Sequence, residues 1–300
     1  MRIGIITWFT GPNYGTNLQA IALQYYLRKQ GYEVELINCE VESEYSKNRR
    51  TFIEKIEFFP EKCAQKLACR VFFKKEKAIR DEKLVKTIQN NCILTRRCEA
   101  EKDLVKVFNS FDLLISGSDQ IWNPNWYHRF YYADYEGVTT RRISYAPSMG
   151  VTKILDEVEP EIKRSISKFD AISVREENAV SLLEPYSKYK PVVAVDPTLL
   201  LDSNDWASIL PPTGAAPKSD YVLGFFIEGN FDHLHATKKF AKQKKMKYVF
   251  VPYSGLSYYQ IGDRRADAGL EDLLELIRNA QYVITDSFHI TVFSIIHRKQ

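Results

Sequence analysis

The sequence lacks the patterns that identify several large classes of protein. Its 300 residues include only five cysteines, none in a CxxC pair, at positions 39, 63, 69, 92 and 98. An odd number of unpaired cysteines predicts reduced thiols in a cytoplasmic protein, without a disulfide framework or a structural zinc site. No apolar run reaches the roughly 18 residues that a membrane-spanning helix needs, and no Asn-x-Ser/Thr sequon occurs.

Charge of one sign is also scarce. The formal net charge is +4, from 42 Lys and Arg against 38 Asp and Glu. This excess is too small to indicate a nucleic-acid partner. Neither a GxGxxG fingerprint nor a Walker pattern is present, so a dinucleotide oxidoreductase is not expected. The 18 Tyr and 17 Phe are plentiful, and such rings either fill cores or stack on sugars.

Short apolar strands alternate with helical stretches along most of the chain. The predicted strands are residues 3–7, 34–37, 112–115, 142–145, 171–174, 192–195, 221–226, 248–251 and 282–284. Strands separated by helices indicate parallel βαβ units in sheets that are covered on both faces. We therefore expect an α/β fold with two domains, residues 1–168 and 169–300, because a charged helix and a new strand follow residue 145.

Residues 42–106 interrupt this alternation. The segment is charged, has a helical pattern without strong strands, and contains phenylalanines at positions 52, 58, 59, 72 and 73. Two interpretations are open. The segment is a membrane-surface or partner-binding insertion, or it is a helical connection packed on the first sheet by its aromatic side chains. We favour the second interpretation.

Polar segments after the first and third strands could carry chemistry, because ligands in open α/β sheets bind beyond the carboxyl ends of the strands. Gly11 and Gly15 lie in the first of these loops, where glycine either serves the turn or lets the backbone approach a phosphate or sugar oxygen. In the second, Asp119 could accept a proton from a hydroxyl and Trp122 could stack on a sugar. Alternatively, Ser118 or Asp119 caps a helix and Trp122 lies in the core.

Arg175 follows the strand at residues 171–174. A guanidinium at a strand end could bind a carboxylate or phosphate in a planar, bidentate manner. The alternative is an ion pair with Glu176 or Glu177. Asp196 precedes a proline, which favours an extended turn. Asp196 could orient a ligand, but we favour a structural turn role for it.

A histidine near the C-terminus lies where a predicted strand leads into the start of a helix. The strand at 282–284 leads into Thr285-Asp286-Ser287-Phe288-His289 and then into a helix, after a helix with Leu270, Leu273, Leu274 and Ile277 at helical spacing. Free backbone N–H groups at a helix N-terminus hold anions. His289 is therefore either a proton donor beside an anion site or a core histidine.

Together these segments resemble the polysaccharide pyruvyl transferase family. The resemblance runs through nearly the whole chain and rests on Asn13-Tyr14-Gly15 with Leu18-Gln19-Ala20, Gly117-Ser118-Asp119-Gln120-Ile121-Trp122-Asn123, Ile143-Ser144-Tyr145-Ala146, Ser173-Val174-Arg175-Glu176, Asp196-Pro197-Thr198-Leu199-Leu200, and Thr285-Asp286-Ser287-Phe288-His289. It implies two Rossmann-like domains in a GT-B-like arrangement. It also implies transfer of a pyruvyl group from phosphoenolpyruvate to a sugar of an exopolysaccharide, capsule or cell-wall polymer, often as a cyclic ketal.

The resemblance implies roles for particular residues. The expected catalytic residues are His289 and Asp119. Those expected to bind the donor are Arg175, Ser287, Phe288 and His289, and those expected to bind the acceptor are Asn13, Tyr14, Gly15, Ser118, Trp122 and Asn123. No cofactor or metal is expected besides phosphoenolpyruvate as donor substrate. The expected partner is a sugar or a lipid-linked oligosaccharide, and a lipid-linked acceptor is compatible with peripheral membrane association.

Three departures from the family pattern bear on these expectations. Ser287 stands where some branches have an arginine two residues before the histidine, and Ile290 stands where a glycine usually follows it. The chain reaches Gln300 soon after the last motif, where the family normally continues, so the resemblance implies a truncated C-terminal domain. A glycosyltransferase that uses a nucleotide sugar, or an inactive carbohydrate-binding relative, is the alternative expectation, since fold alone does not decide function.

Overall fold

The computed structural model describes residues 1–11, 13–39, 73–98, 100–227, 231–253, 257–258 and 262–300. These residues fall into two units. The first unit holds residues 1–10, 16–39 and 89–200, and the second holds residues 11–15, 73–88 and 201–300.

The first unit is built on a four-stranded parallel sheet. Its strands are β1 (Arg2–Ile6), β2 (Glu33–Leu36), β3 (Leu113–Ser116) and β4 (Arg141–Ser144), in the order β2-β1-β3-β4. β1 is central and reads as an almost continuous apolar run, as expected of a parallel strand that is buried on both faces. The carboxyl ends of β1, β3 and β4 therefore meet at one edge of this sheet.

Helices and a small second sheet complete the first unit. The helices up to residue 183 are α1 (Tyr14–Lys29), α2 (Lys74–Asn91), α3 (Glu101–Phe108), α4 (Glu159–Ile166) and α5 (Glu177–Leu183). The first two residues of α1 and residues 74–88 of α2 belong to the second unit. Two short strands, β5 (Ser173–Val174) and β6 (Val192–Val193), pair in parallel. The side chains of Phe108, Trp122, Phe130 and Ile162 belong to one buried cluster that forms the core of this unit.

The second unit repeats this architecture. Its parallel sheet has the order β10-β7-β8-β9, with β7 (Tyr221–Phe226), β8 (Lys247–Pro252), β9 (Asp263–Arg264) and β10 (Tyr282–Thr285). Its helices are α6 (Ser203–Ile209), α7 (Phe231–Gln243), α8 (Leu270–Asn279) and α9 (Phe288–Ile296). α8 buries the leucines and isoleucine whose spacing predicts it.

The α/β class with parallel sheets is confirmed. Every predicted strand has a counterpart whose ends differ by at most two residues. β9 was not predicted, because two polar residues at the edge of a sheet carry no hydrophobic pattern. Cys92 and Cys98 carry free thiols, whereas Cys63 and Cys69 lie outside the described residues.

The helical prediction for residues 42–106 is partly wrong. Residues 42–72 lie outside the described part of the chain. Of the remainder, 74–91 and 101–108 are helical, but residues 93–95 are extended. There the N–H of Leu36 donates to the carbonyl oxygen of Ile93 at 2.9 Å, and the N–H of Thr95 donates back to Leu36 at 3.0 Å. Hydrogen bonding along the open edge of β2 explains this extended stretch.

The beginning of α2 does not pack on the first sheet, contrary to our expectation. Phe73, the only described phenylalanine of this segment's five, packs on Tyr258 with ring centroids 5.2 Å apart. The Nζ of Lys83 lies 2.8 Å from a carboxylate oxygen of Asp272. All four residues belong to the second unit.

The division between the units differs from the expected boundary at residues 168 and 169. Residues 169–200 belong to the first unit. The reason is a set of hydrogen bonds between β4 and β5: the Ser144 hydroxyl donates to the carbonyl oxygen of Ser173 at 2.7 Å, and the Ser173 hydroxyl donates back to that of Ser144 at 2.9 Å. Such paired hydroxyl contacts leave no trace in hydrophobic periodicity.

Candidate functional site

The turn after β3 forms the first part of the candidate site. Gly117 has a φ of +134°, and a Cβ at this position would lie 2.1 Å from the carbonyl oxygen of Tyr145. Only glycine tolerates this approach. The side chain of Ser118 is fully buried, and its hydroxyl donates to the carbonyl oxygen of Ala146 at 2.7 Å. The turn is thus fixed against the residues that follow β4.

Asp119 completes this turn in the left-handed region, with a φ of +68°. One carboxylate oxygen accepts a hydrogen bond from the hydroxyl of Thr16 at 2.7 Å, and the other accepts one from the N–H of Gln120 at 2.9 Å. The residue is 8% exposed. Two hydrogen bonds therefore fix the direction of this carboxylate, as a group that orients a substrate hydroxyl requires.

Gln19 connects α1 to the same turn. Its amide nitrogen donates to the hydroxyl of Thr7 and to the carbonyl oxygens of Trp8 and Thr16, each at 2.9 Å. Its amide oxygen accepts from the N–H of Ser118 at 3.1 Å. The sequence analysis includes Gln19 only as part of a motif and predicts no role for it. A polar residue within an apolar stretch of a helix could have indicated its role, because a buried polar side chain needs a hydrogen-bond partner.

Arg175 lies at the end of β5 and reaches the same turn. Its Nη2 atom lies 2.8 Å from Oδ2 of Asp196, 2.8 Å from the hydroxyl oxygen of Ser118 and 4.0 Å from Oδ1 of Asp119. Oδ1 of Asp196 accepts hydrogen bonds from the N–H and the hydroxyl of Thr198, at 3.0 and 2.6 Å. The turn role predicted for Asp196 is confirmed, and this residue is also an ion-pair partner of Arg175.

The alternative partner of Arg175, Glu176, is engaged elsewhere. Its Oε1 atom accepts from the hydroxyl of Ser148 at 3.1 Å and from the N–H of Met149 at 2.8 Å. The guanidinium of Arg175 therefore faces two carboxylates, those of Asp119 and Asp196, and the three groups together carry a formal charge of −1. In this arrangement Arg175 stabilises the turn in addition to any contact with an anion.

The structure contradicts the prediction that Trp122 stacks on a sugar. Trp122 is fully buried, its ring stacks on that of Tyr132 with centroids 5.2 Å apart, and its Nε1 donates to the hydroxyl of Ser116 at 3.0 Å. Asn123 is 3% exposed, and its side-chain oxygen accepts from the N–H of Asn125 at 3.0 Å. Both residues support the turn from inside the first unit. The large ring of Trp122 contributes most to stability when it is buried.

In the second unit, polar side chains fix the segment after β10. Ser287 is the N-cap of α9: its hydroxyl accepts a long hydrogen bond of 3.5 Å from the N–H of Ile290, and the residue is 5% exposed. A carboxylate oxygen of Asp286 accepts from the N–H of Ile227, after β7, at 2.6 Å. The Ser287 side chain, expected to bind the donor, thus has a capping role in this structure.

His289 is the second residue of α9 and is half-buried. The ring of Phe288, which is 46% exposed, meets the imidazole edge to face with centroids 5.1 Å apart. Gly15, also in the second unit, lies against the imidazole so closely that a Cβ on it would be 2.1 Å from Nδ1. The structure therefore brings together two of the residues predicted to form the site.

Tyr14 is a buried anchor of the second unit. It is 2% exposed, its hydroxyl donates to the carbonyl oxygen of Ala268 at 2.7 Å, and its ring meets Phe225 with centroids 5.7 Å apart. Burial raises the pKa of this hydroxyl well above its usual range. Asn13 caps the start of α1, its side-chain oxygen accepting from the N–H of Gly15 at 3.0 Å. Tyr14 leaves almost no surface for the acceptor contact expected of it.

Hydrogen bonding, ring stacking and burial define the surroundings of three of the other histidines. Nδ1 of His128 accepts from the N–H of Phe130 at 3.1 Å, and His233 stacks on Phe226 with centroids 5.8 Å apart. Burial, together with the nearby positive side chains of Arg278 and Lys299, lowers the pKa of His297 to about 4.

Among the residues described here, no group of three His, Cys, Asp or Glu side chains is placed to hold a metal ion. No helix within that same part of the chain combines the length and apolarity needed to cross a membrane.

Two solved structures share this fold. The UDP-GlcNAc 2-epimerase of Neisseria meningitidis aligns with 97% of this chain over 78% of its own length, with a TM-score of 0.51 and 9% identity. A Listeria monocytogenes protein described as a UDP-N-acetylglucosamine 2-epimerase aligns with 96% of this chain over 75% of its own, with a TM-score of 0.52 and 8% identity. The expected GT-B class, with two Rossmann-like units, is thereby confirmed. No curated protein matches the chain by sequence.

The family follows from the sequence. Residues 13–300 match the polysaccharide pyruvyl transferase family, and the chain belongs to that family. It is therefore a transferase of polysaccharide biosynthesis. The match extends over all six motifs, including the turn at Gly117–Asn123 and the histidine at the start of α9.

Proposed function

We propose that this protein transfers a pyruvyl group from phosphoenolpyruvate to hydroxyls of a sugar that belongs to a surface polysaccharide. The family match over residues 13–300 is the observation that carries this proposal. The acceptor is a sugar or a lipid-linked oligosaccharide that serves as precursor of an exopolysaccharide, capsule or cell-wall polymer. The reaction takes place in the cytoplasm and uses phosphoenolpyruvate as the activated donor.

The proposed reaction forms a ketal in two additions. One sugar hydroxyl oxygen attacks C2 of phosphoenolpyruvate while the methylene carbon gains a proton and becomes a methyl group. A second hydroxyl of the same sugar then attacks C2, and the bond from C2 to the phosphate oxygen breaks. Of the two hydroxyl protons lost, one balances the proton gained by the carbon and the other leaves with the phosphate. The reaction therefore needs an acid, a base and a positive field.

His289 is the proposed acid. β10 and the capped turn at Ser287 place it at the start of α9. The backbone dipoles of a helix N-terminus favour the carboxylate and phosphate of the donor. An imidazole beside such an anion can give a proton to the methylene carbon, and the neighbouring Phe288 ring offers an apolar surface to the methyl group that forms.

Asp119 and Arg175 are the proposed base and anion-binding group. Hydrogen bonds from Thr16 and Gln120 support Asp119 because they hold its carboxylate in one direction. The planar guanidinium of Arg175 suits a carboxylate or phosphate. Because its Nη2 atom already contacts Asp196 and Ser118, we also assign it the task of holding the Gly117–Asp119 turn.

The test is an assay of the purified protein with phosphoenolpyruvate and a panel of sugar acceptors. We expect phosphate release that depends on an acceptor, and a new methyl signal of a ketal in the proton NMR spectrum. His289→Gln should lower kcat by roughly a hundredfold or more. His235→Gln is the matched control, because His235 lies on an exposed position of α7.

Two other outcomes would contradict the proposal. Release of nucleotide from a nucleotide sugar, without phosphate release from phosphoenolpyruvate, would identify a glycosyltransferase. Sugar binding with no release of either leaving group would identify a carbohydrate-binding relative.

A further inference from the structure

We propose that Gly15 is a positioning residue, whose missing side chain provides the space that fixes the imidazole of His289. The inference rests on the proposed role of His289 as acid. It reassigns Gly15, which the family resemblance places among the residues that bind the acceptor.

The contact is between the α-carbon of Gly15 and one side of the imidazole ring. A Cβ on Gly15 would lie 2.1 Å from Nδ1, 2.5 Å from Cγ and 2.7 Å from Cε1 of His289. Real Cβ atoms do not approach other atoms this closely, so one of the two groups would have to move. The three nearest atoms all belong to the same ring, which therefore shifts or rotates as a whole.

Backbone conformation does not explain the glycine. Gly15 is the second residue of α1, and alanine favours a helix more than glycine does. Gly11, four residues earlier, shows the contrast: it has a φ of +89°, and a Cβ added to it would have no atom within 4 Å. Gly11 is thus needed for its left-handed backbone, whereas Gly15 is needed for the space beside His289.

The backbone at Gly15 is held from the preceding residues. Asn13 accepts a hydrogen bond from the N–H of Gly15 at 3.0 Å. The hydroxyl of Tyr14 donates to the carbonyl oxygen of Ala268 at 2.7 Å, and the Tyr14 ring packs on Phe225. Because these buried contacts anchor the start of α1, the imidazole, on its rotatable side chain, is the group that would yield to a Cβ.

The size of the shift decides the functional effect. To reach ordinary contact at 3.4 Å the imidazole must move by more than 1 Å, and a misplacement of about 1 Å can already cost about a hundredfold in rate. A shift of one side chain leaves the fold intact. The Gly15→Ala variant should therefore remain folded, with the imidazole of His289 displaced.

The first measurement is independent of pyruvyl transfer. The protein has five histidines, so histidine labelled with ¹⁵N in the ring gives a spectrum that can be assigned with His289→Gln. We expect the His289 ring signals to move in Gly15→Ala and to stay unchanged in Ile295→Ala, a control at a 65% exposed position of the same helix. Unmoved His289 signals in Gly15→Ala would overturn the inference.

The second measurement uses the kinetics of the complete chain. We expect Gly15→Ala to lower kcat about a hundredfold while the KM for the sugar acceptor stays the same. In the His289→Gln background the same substitution should have no further effect on kcat. An equal loss in both backgrounds, or a raised acceptor KM with unchanged kcat, would contradict a positioning role.

The two measurements separate the two proposals. If the wild-type protein releases no phosphate from phosphoenolpyruvate but the ring signals move, the proposed function fails and the contact stands. If Gly15→Ala lowers the melting temperature, adding His289→Ala should restore it, because removal of the ring removes the clash. Failure of this restoration would place the cause outside the Gly15–His289 contact and would overturn the inference.

Discussion

Substitution of Asp196 tests most directly how the first unit stabilises the Gly117–Asp119 turn. It is 1% exposed and accepts from Thr198 through Oδ1 and from Arg175 through Oδ2. Asp196→Asn keeps an oxygen for Thr198 but replaces the carboxylate charge and turns an amide N–H₂ group toward the guanidinium. The substitution therefore leaves a nearly buried cation facing a donor.

The expected cost follows from the burial of the pair. Breaking a buried ion pair by removing one partner costs about 3–5 kcal/mol. The side chain of Arg175 is 13% exposed, and Asp119 remains 4.0 Å away as a second carboxylate. We therefore expect the lower end of this range for Asp196→Asn, about 3 kcal/mol. Asp196→Ala should cost more, because it also removes both hydrogen bonds to Thr198.

The assay should report on the first unit alone, because unfolding of a chain with two units need not be two-state. Hydrogen exchange at the amides of β3 and β4 measures the opening free energy of this unit. Asp156→Asn is the matched control: its ion pair with Lys153 spans 3.3 Å, but both side chains are more than three-quarters exposed, at 84% and 78%. It should cost less than about 0.5 kcal/mol.

A double-mutant cycle decides whether the ion pair is the cause. Arg175→Met combined with Asp196→Asn should cost less than the sum of the single variants, with a coupling of about 1 kcal/mol or more. Equal protection in Asp196→Asn and Asp156→Asn would refute the reasoning, since it would mean that the buried pair stabilises the turn no more than an exposed pair does.

One carboxylate variant and one histidine variant test the stability of the second unit. Burial opposes ionisation of Glu275, but hydrogen bonds from residues 213–216 outweigh it and lower its pKa. Glu275→Gln should therefore destabilise by about 1–2 kcal/mol at pH 7, an effect that disappears as the pH falls below the ordinary pKa of 4.5. Hydrogen exchange at the amides of β7 and β10 measures the opening free energy of the second unit, with Glu82→Gln, which breaks only an exposed pair, as the control. Because the pKa of His297 is lowered from 6.5 to about 4, its contribution to stability is complete above pH 6.5 and lost as the pH falls to about 4. His297→Leu should reduce the change of the melting temperature with pH between pH 6.5 and about 4. The same pH dependence in His297→Leu and in the wild-type protein would contradict this prediction.

The strands could be predicted because each one carries its own signal. β7 is buried at all six positions and reads as an apolar run, whatever strand lies beside it. β9 carries no such signal, since hydrogen bonds to β8 alone make it a strand. The extended stretch at residues 93–95 is likewise defined by its partner, β2.

The place of the candidate site could also be predicted, but its contacts could not. Polar residues at the ends of β3 and β5 pointed to Ser118, Asp119 and Arg175, because ligands in open α/β sheets bind beyond the carboxyl ends of the strands. The choice of Asp196 over Glu176 as partner of Arg175 depends on three-dimensional distance. The same limit applies to Trp122, whose type suits a sugar surface and a core equally well.

The sequence by itself determined the α/β class, the family and the positions of the polar turns, because hydrophobic periodicity and motif spacing are local properties of the chain. The tertiary structure decided which groups meet. It placed Trp122 in the core, paired Arg175 with Asp196, and brought the bare α-carbon of Gly15 against the ring of His289. These contacts join residues far apart in the chain, and only the packing of complete units selects them.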